Sequence, residues 1–135
     1  MGVVWQPWDN DAGTSQVQLT AAERVLGASD AERVQLDIDG AEVTVVRSKS
    51  EGRAVLVAKG MGPAPVGKVF ELWLEDDTGH LSPAGLMPDG ADHTIVLDGD
   101  ATEAVGVGIT IEPDGGSEVP KSSPIARFKF SEAAT

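Results

Sequence analysis

The chain has 135 residues, 22 acidic against 10 basic, a formal net charge of −12 and no cysteine. That length suits one domain with a real core. The charge argues against nucleic acid as a partner, since a DNA or RNA binder needs a basic face, and the missing thiols exclude disulfides, thiol catalysis and cysteine-based metal sites.

Residues 1–18 read as a membrane-proximal segment and linker. Val3, Val4, Trp5 and Trp8 stand beside Pro7 and are followed by Asp9, Asn10, Asp11 and Gly13. Paired Trp residues match the aromatic belt of a membrane–water interface, or alternatively dock on the domain surface. No run approaches the ~20 apolar residues that cross a bilayer, and the start lacks the basic and apolar regions of a signal peptide. The chain reads as a soluble piece of something larger.

The domain is expected over residues 19–130, with 131–135 as a tail. Thr20 can cap a short helix to Gly27, Glu23 completes a capping box and Leu19 offers a staple. Two turns are marginal alone, so this helix has to lean on a sheet. From Arg33 the pattern becomes strand. Val34, Leu36 and Ile38 alternate with polar residues, Asp39–Gly40 makes a hairpin turn, and Val43 and Val45 return. Further strands are expected over 53–58, 68–75, 80–86 (interrupted by Pro83), 93–97, 104–111 and 125–130, the last with Phe128 and Phe130 inward and Arg127 and Lys129 outward. Phe70, Leu72 and Leu74 are paired with Val105, Val107, Ile109 and Ile111 as the heart of the core. The small residues between the latter imply close packing on their second face. Pro113 ends that strand, and Asp114, Gly115 and Gly116 turn the chain. About eight short strands with frequent turn signals predict an all-β, antiparallel β-sandwich with one short N-terminal helix.

Reactive chemistry has little to stand on. His80 and His93 could ligate a metal only with carboxylate help, such as Asp92. Asp37, Asp39 and Gly40, and the cluster of Asp98, Asp100 and Glu103, do not continue into a calcium loop and are explained by turns. Ser82 and Ser117 are nucleophile candidates by residue type alone. No phosphate cradle opens a helix. The acids fall mostly on turns and outward strand positions, which describes a solvated surface. The reading is therefore a chain without enzyme activity, without cofactor and without metal.

Some residues carry a resemblance. Leu72 and Trp73 within Phe70-Glu71-Leu72-Trp73-Leu74, Gly85 after Pro83-Ala84, and Thr110-Ile111-Glu112-Pro113 followed by Gly115-Gly116-Ser117 and Pro120 resemble the C-terminal domain of anti-sigma-K factors, the RskA family. The likeness runs from about Glu23 to Phe130. It departs mildly at Phe70-Glu71, where the family commonly shows Tyr-Gln.

The resemblance implies a regulator: the extracytoplasmic sensory domain of a single-span membrane protein that holds an extracytoplasmic-function sigma factor inactive until proteolysis releases it. The sigma factor would be bound by a cytoplasmic domain absent from this chain, and the membrane reached through an absent N-terminal helix. A regulatory protease would be a further partner, and nucleic acid would not be one. The motif residues Leu72, Trp73, Gly85, Thr110, Glu112, Pro113, Gly115 and Gly116 are then fold or partner-contact positions. Trp73 is expected to pack on the second face of its strand, and Glu112 to hold the turn through backbone hydrogen bonds or to meet a partner. The helix at Thr20–Gly27, docked on the sheet, is expected to shield the linker from protease. The competing reading is a stand-alone cell-envelope module that binds a polysaccharide or small ligand. Too few exposed aromatics count against it.

Overall fold

Asp39 and Gly40 both take positive φ, 50° and 89°. Two such residues in succession form the tight turn whose twist suits a hairpin. That turn joins β1 (Glu32–Ile38) to β2 (Ala41–Ser48) in unbroken antiparallel register. The computed structural model describes residues 21–130. The remaining strands are β3 (Arg53–Lys59), β4 (Lys68–Glu75), β5 (Leu81–Leu86), β6 (His93–Val96), β7 (Gly106–Pro113) and β8 (Ala126–Lys129). They form two four-stranded antiparallel sheets, β1-β2-β3-β6 and β5-β4-β7-β8. The expected all-β sandwich with one short helix is what the chain forms.

The period-2 pattern explains the core. Val43, Val45, Leu56, Phe70, Leu72, Leu74, Val107, Ile109 and Phe128 project inward from both sheets into one apolar cluster, as alternate residues of a strand must. β4 and β7 pair over their whole length, Lys68 opposite Pro113 through Glu75 opposite Gly106. Pro83 does not end β5. An edge strand needs no donor on its free side, and the irregularity falls instead on the pairing, which shifts register between Leu72 and Trp73.

Each sheet also has an outer face, and neither is bare. On the first sheet the helix at residues 21–26 (α1) lays fully buried Val25 on Val46 and Val55, with Ala22, Leu26, Val57 and Val96 around them. This is why Val45 and Val46 are both buried although they point opposite ways. Arg33 donates from Nη2 to the Leu26 carbonyl at 2.6 Å, which satisfies one of the helix's terminal acceptors. The expected cap at Thr20 and staple at Leu19 lie outside the described residues, as do both Trp of the N-terminal stretch, the domain boundary at 18–19 and the tail.

Close approach also fixes one glycine. A Cβ on Gly106 would lie 2.5 Å from the Phe128 carbonyl oxygen across the β7–β8 pair. Gly106→Ala should therefore cost about 1–3 kcal/mol by forcing backbone apart, measured as a lower urea midpoint with an unchanged slope.

Candidate functional site

Three of the motif residues, Trp73, Thr110 and Glu112, lie together on the outer face of the second sheet. Alternation puts Glu71, Trp73 and Glu75 of β4 on that face, with Gly106, Gly108, Thr110 and Glu112 of β7 beside them. All seven are buried, Trp73, Thr110 and Glu112 completely. Most acids of the described residues are exposed, as expected, but three depart from that pattern: Glu71, Glu75 and Glu112 are covered.

The cover comes from the segment after β7. Gly116 N–H donates to the Pro113 carbonyl at 2.8 Å, with Gly115 at φ 91° inside that turn, so the chain folds back over the sheet. Gly116 itself, at φ 83°, packs so tightly that a Cβ would meet Leu86 Cδ2 at 2.8 Å and Glu71 Oε1 at 3.1 Å. Ser117 then bridges two strands. Its N–H donates to Glu71 Oε1 at 2.7 Å, and its hydroxyl donates to Glu112 Oε1 at 2.9 Å. Lys121 N–H reaches both oxygens of Glu112, at 3.1 and 3.2 Å. Ser122 Oγ donates to the Ile111 carbonyl at 2.8 Å.

Trp73 anchors the other end of the same network. Its indole N–H donates to Thr110 Oγ1 at 2.8 Å, and Thr110 shares the outer face of β7 with Glu112. Burial alone would raise the Glu112 carboxyl, but Thr110, the Lys121 amide and Ser117, with the Lys121 charge, outweigh it and hold the group below the ordinary glutamate value. Glu71 goes the other way: burial pushes it up, the Ser117 amide opposes this, and the Glu112 charge adds to it. Glu75 is also raised by burial, yet Arg127 Nη2 at 2.5 Å and Lys129 Nζ at 3.5 Å bring it below its ordinary value.

These shifts have opposite signs in stability. A carboxyl depressed in the folded state adds stability that is present above its unfolded pKa and is lost as pH falls through the folded value. Glu112 and Glu75 therefore weaken the fold on acidification below about pH 4. A raised carboxyl contributes stability below its unfolded pKa and loses it as pH rises, so ionised Glu71 opposes the fold at neutral pH. Glu71→Gln keeps the acceptor for Ser117 and removes the repulsion with Glu112. The variant should have the higher urea midpoint at pH 7, and the gap should close near pH 4 as Glu71 itself takes up a proton.

The remaining motif positions serve geometry. Leu72 is a core residue with no exposure. Gly85 lies opposite it at φ 138°, beside the register shift. Pro113 and Gly115 are exposed at the turn. Among the described residues no buried side-chain nitrogen or oxygen lacks a hydrogen-bond partner. The contacts of Glu71 and Glu112 brace the loop after β7, and those of Trp73 and Glu75 tie β4 to β7 and β8.

The other candidates stay apart. His93 Nε2 bonds the Gly90 carbonyl at 2.7 Å, and His80 is exposed, its N–H bonded to Asp76. Among the described residues no group of three or more His, Asp or Glu could hold a metal ion. Asp98, Asp100 and Glu103 share an acidic hollow with Glu75 and Asp76. Ser82 is exposed on β5, while Ser117 is spent on Glu112. A hollow of about 500 Å³ between the sheets is lined by Leu36, Asp37, Asp39, Met61, Phe70, Ile111 and Ile125, and among the described residues its sole aromatic is largely buried Phe70.

One functional group escaped the sequence reading altogether. Arg47 is completely buried at the end of β2. Its guanidinium donates to the carbonyls of Ala101, Thr102 and Ala104 at 2.9, 3.4 and 2.6 Å, and Nε donates to Glu32 at 2.8 Å. Nη2 forms an ion pair with the same carboxylate, and the Phe130 ring lies 4.4 Å below. The signal was present: Arg47 follows Val43 and Val45 in the inward register.

The profile described as "Anti-sigma-K factor rskA, C-terminal" matches residues 2–125. A Streptomyces griseus protein named "Uncharacterized protein in phr 5'region" is 43% identical over 124 residues, covering 90% of this chain and 52% of that protein. "Anti-sigma-K factor RskA" of Mycobacterium sp. (strain KMS) is 35% identical over 115 residues, covering 83% and 47%. The Mycobacterium ulcerans protein of the same name is 31% identical over 114 residues, covering 81% and 47%. The chain thus spans about half the length of the curated relatives it matches. No solved structure matches it significantly. On these matches, and on the motif network they run through, the chain belongs to the anti-sigma-K factor RskA C-terminal family.

Proposed function

We propose that this chain is the extracytoplasmic sensory domain of a membrane-anchored anti-sigma factor. It controls an extracytoplasmic-function sigma factor, acts by regulation rather than catalysis, and is switched by proteolysis. The family match along almost the whole chain carries this reading. The site supports it, because its polar groups are used to hold a scaffold together and none is left poised to react. A receiving domain needs such a scaffold and a movable part at its entrance.

The movable part is α1. It holds to the first sheet through one completely buried side chain, Val25, with Ala22 and Leu26 half-buried beside it. A helix this short is unstable without its sheet, so undocking α1 also unfolds it and lengthens the free chain that a protease needs. The sigma factor contacts a part of the protein other than residues 21–130.

Two experiments test this. The native gene product, probed with an antibody to this domain in fractionated cells, is expected in the membrane fraction, well above 14.0 kDa and open to protease from outside. A soluble band near 14.0 kDa defeats the reading. In the same protein Val25→Asp buries a charge under α1, and it should raise both cleavage near the linker and sigma-dependent transcription several-fold. Unchanged cleavage would remove α1 from the mechanism and leave the membrane assignment standing.

A further inference from the structure

β1 is an edge strand. It pairs with β2 on one side and, among the described residues, with no strand on the other, although β8 of the second sheet packs near it. The other three edges are blunted by their own sequences. β5 contains Pro83 and pairs irregularly, and β6 and β8 have four residues each. β1 has seven residues, no proline and a regular register. A long, regular edge is a template for another strand unless something blocks it. Its inward side chains Val34, Leu36 and Ile38 are only half-buried, and Leu36 and Ile38, with Asp37 and Asp39, line the hollow between the sheets.

The outward side chains state which strand fits. Arg33, Gln35 and Asp37 alternate along the exposed face. Asp37 lies directly opposite Glu42 of β2, a like-charge pair that disfavours its own hairpin. Glu42 accepts from the Gln35 amide at 2.7 Å and faces Lys59 on β3. Asp37 has no cation bonded to it among the described residues. Turn a second β1 antiparallel about Gln35, the middle residue of the strand. Arg33 then opposes Asp37 of the other copy, twice, Gln35 opposes Gln35, and Val34 opposes Leu36, twice. Glu32 opposes Ile38, twice, so all seven residues are paired, and the apolar residues of both copies stay on the inner face with Glu32 at its ends.

We propose that two copies of this chain associate through β1, antiparallel and centred on Gln35, so that their first sheets run on as one. The pairing stands independently of the regulatory reading. One strand pair buries less than the roughly 1,200 Å² of a stable interface, so association is weak in dilute solution and strengthens where copies are held close together.

The absence of cysteine makes the test clean. Residues directly opposite in an antiparallel pair have Cα atoms about 4.5–5.5 Å apart, within reach of a disulfide. Gln35→Cys in the full chain, oxidised mildly at high protein concentration, should give severalfold more covalent dimer than Thr94→Cys, which is exposed on the β6 edge. Adding Asp37→Arg to Gln35→Cys turns both cross-strand charge pairs repulsive and should cut the trapped dimer about fivefold. Arg33→Asp should do the same. Mixing the two charge variants in equal amounts restores opposite charges at both positions, and the mixed dimer should return to the parent yield. Arg33→Asp also removes the bond to Leu26, so the loss with Asp37→Arg alone is the primary reading. A Gln35→Cys yield no greater than that of Thr94→Cys, or one indifferent to Asp37→Arg, overturns the proposal. So does trapping that appears only after residues 1–20 are removed, because the edge would then be covered by the chain's own N-terminal segment.

Discussion

Arg47→Ala is expected to lower the stability of the domain by about 3–5 kcal/mol, the cost of breaking a buried, hydrogen-bonded charge network from one side. That is a large share of the roughly 5–15 kcal/mol that holds a domain of this size folded. The guanidinium gathers three carbonyls from the turn before β7, at Ala101, Thr102 and Ala104, and ties them to Glu32 at the start of β1. Alanine leaves these acceptors in a dry site and opens a cavity over Phe130. Lysine cannot substitute, since one ammonium lacks the fork that reaches several acceptors at once. Glu32→Gln should cost much less, because the Glu32 side chain is 23% exposed and keeps an oxygen toward Arg47. Guanidinium unfolding midpoints of the three variants decide the matter. Equal losses in Arg47→Ala and Glu32→Gln would mean that the ion pair, and not the carbonyl anchoring, carries the effect. A loss under about 1 kcal/mol for Arg47→Ala would mean that the site lets water in.

Trp73→Ala should be comparably damaging, about 3–5 kcal/mol, as large-to-small changes of buried aromatics are. The indole is completely buried on the outer face of the second sheet, and its N–H is bonded to Thr110 Oγ1 of β7. Two smaller changes separate its bulk from its hydrogen bond. Trp73→Phe keeps most of the apolar body and loses the N–H. Thr110→Val keeps the shape and removes the acceptor of the indole N–H. Their losses should not add. Once the link is broken the second change has less to remove, and the coupling should be about 1 kcal/mol in a double-mutant cycle. Strict additivity would mean that Trp73 is only a filler and that the network has no cooperative part. In Trp73→Ala the amides of Ser117 and Lys121 should also exchange with deuterium faster, since the strap over this face hangs on the carboxylates that the network orients.

The family motif thereby acquires a physical meaning. Thr110, Glu112, Pro113, Gly115, Gly116 and Ser117 form a self-bracing corner. The threonine takes the indole N–H of Trp73, the proline ends the strand, the glycines permit the positive-φ reversal, and the serine returns to the glutamate. Leu72 and Trp73 give the same strand an inward and an outward anchor. Such a corner marks the fold, and any role in partner contact rests on the exposed residues around it, Leu86 and Val119, 40% and 60% exposed.

The strand pattern was legible without coordinates because it depends on local rules. Alternation placed the eight strands, Asp39–Gly40 placed the hairpin, Pro113 placed the end of β7, and the apolar runs at 68–75 and 105–111 identified the central pair. Val46, an apolar residue on the outward side of β2, carried the sign that a helix would cover that face. Burial of charge was not legible in the same way. Alternation tells which face a side chain points to, not what lies over that face. Glu71 became a buried group through Ser117, 46 residues away, and Arg47 through Ala101 to Ala104, 54 to 57 residues away. The sequence by itself thus determined the strands, their central pairing and the family. Only the tertiary structure decided which polar residues are braces, because hydrogen-bond partners so distant in the chain meet only when both sheets and the returning loop are in place.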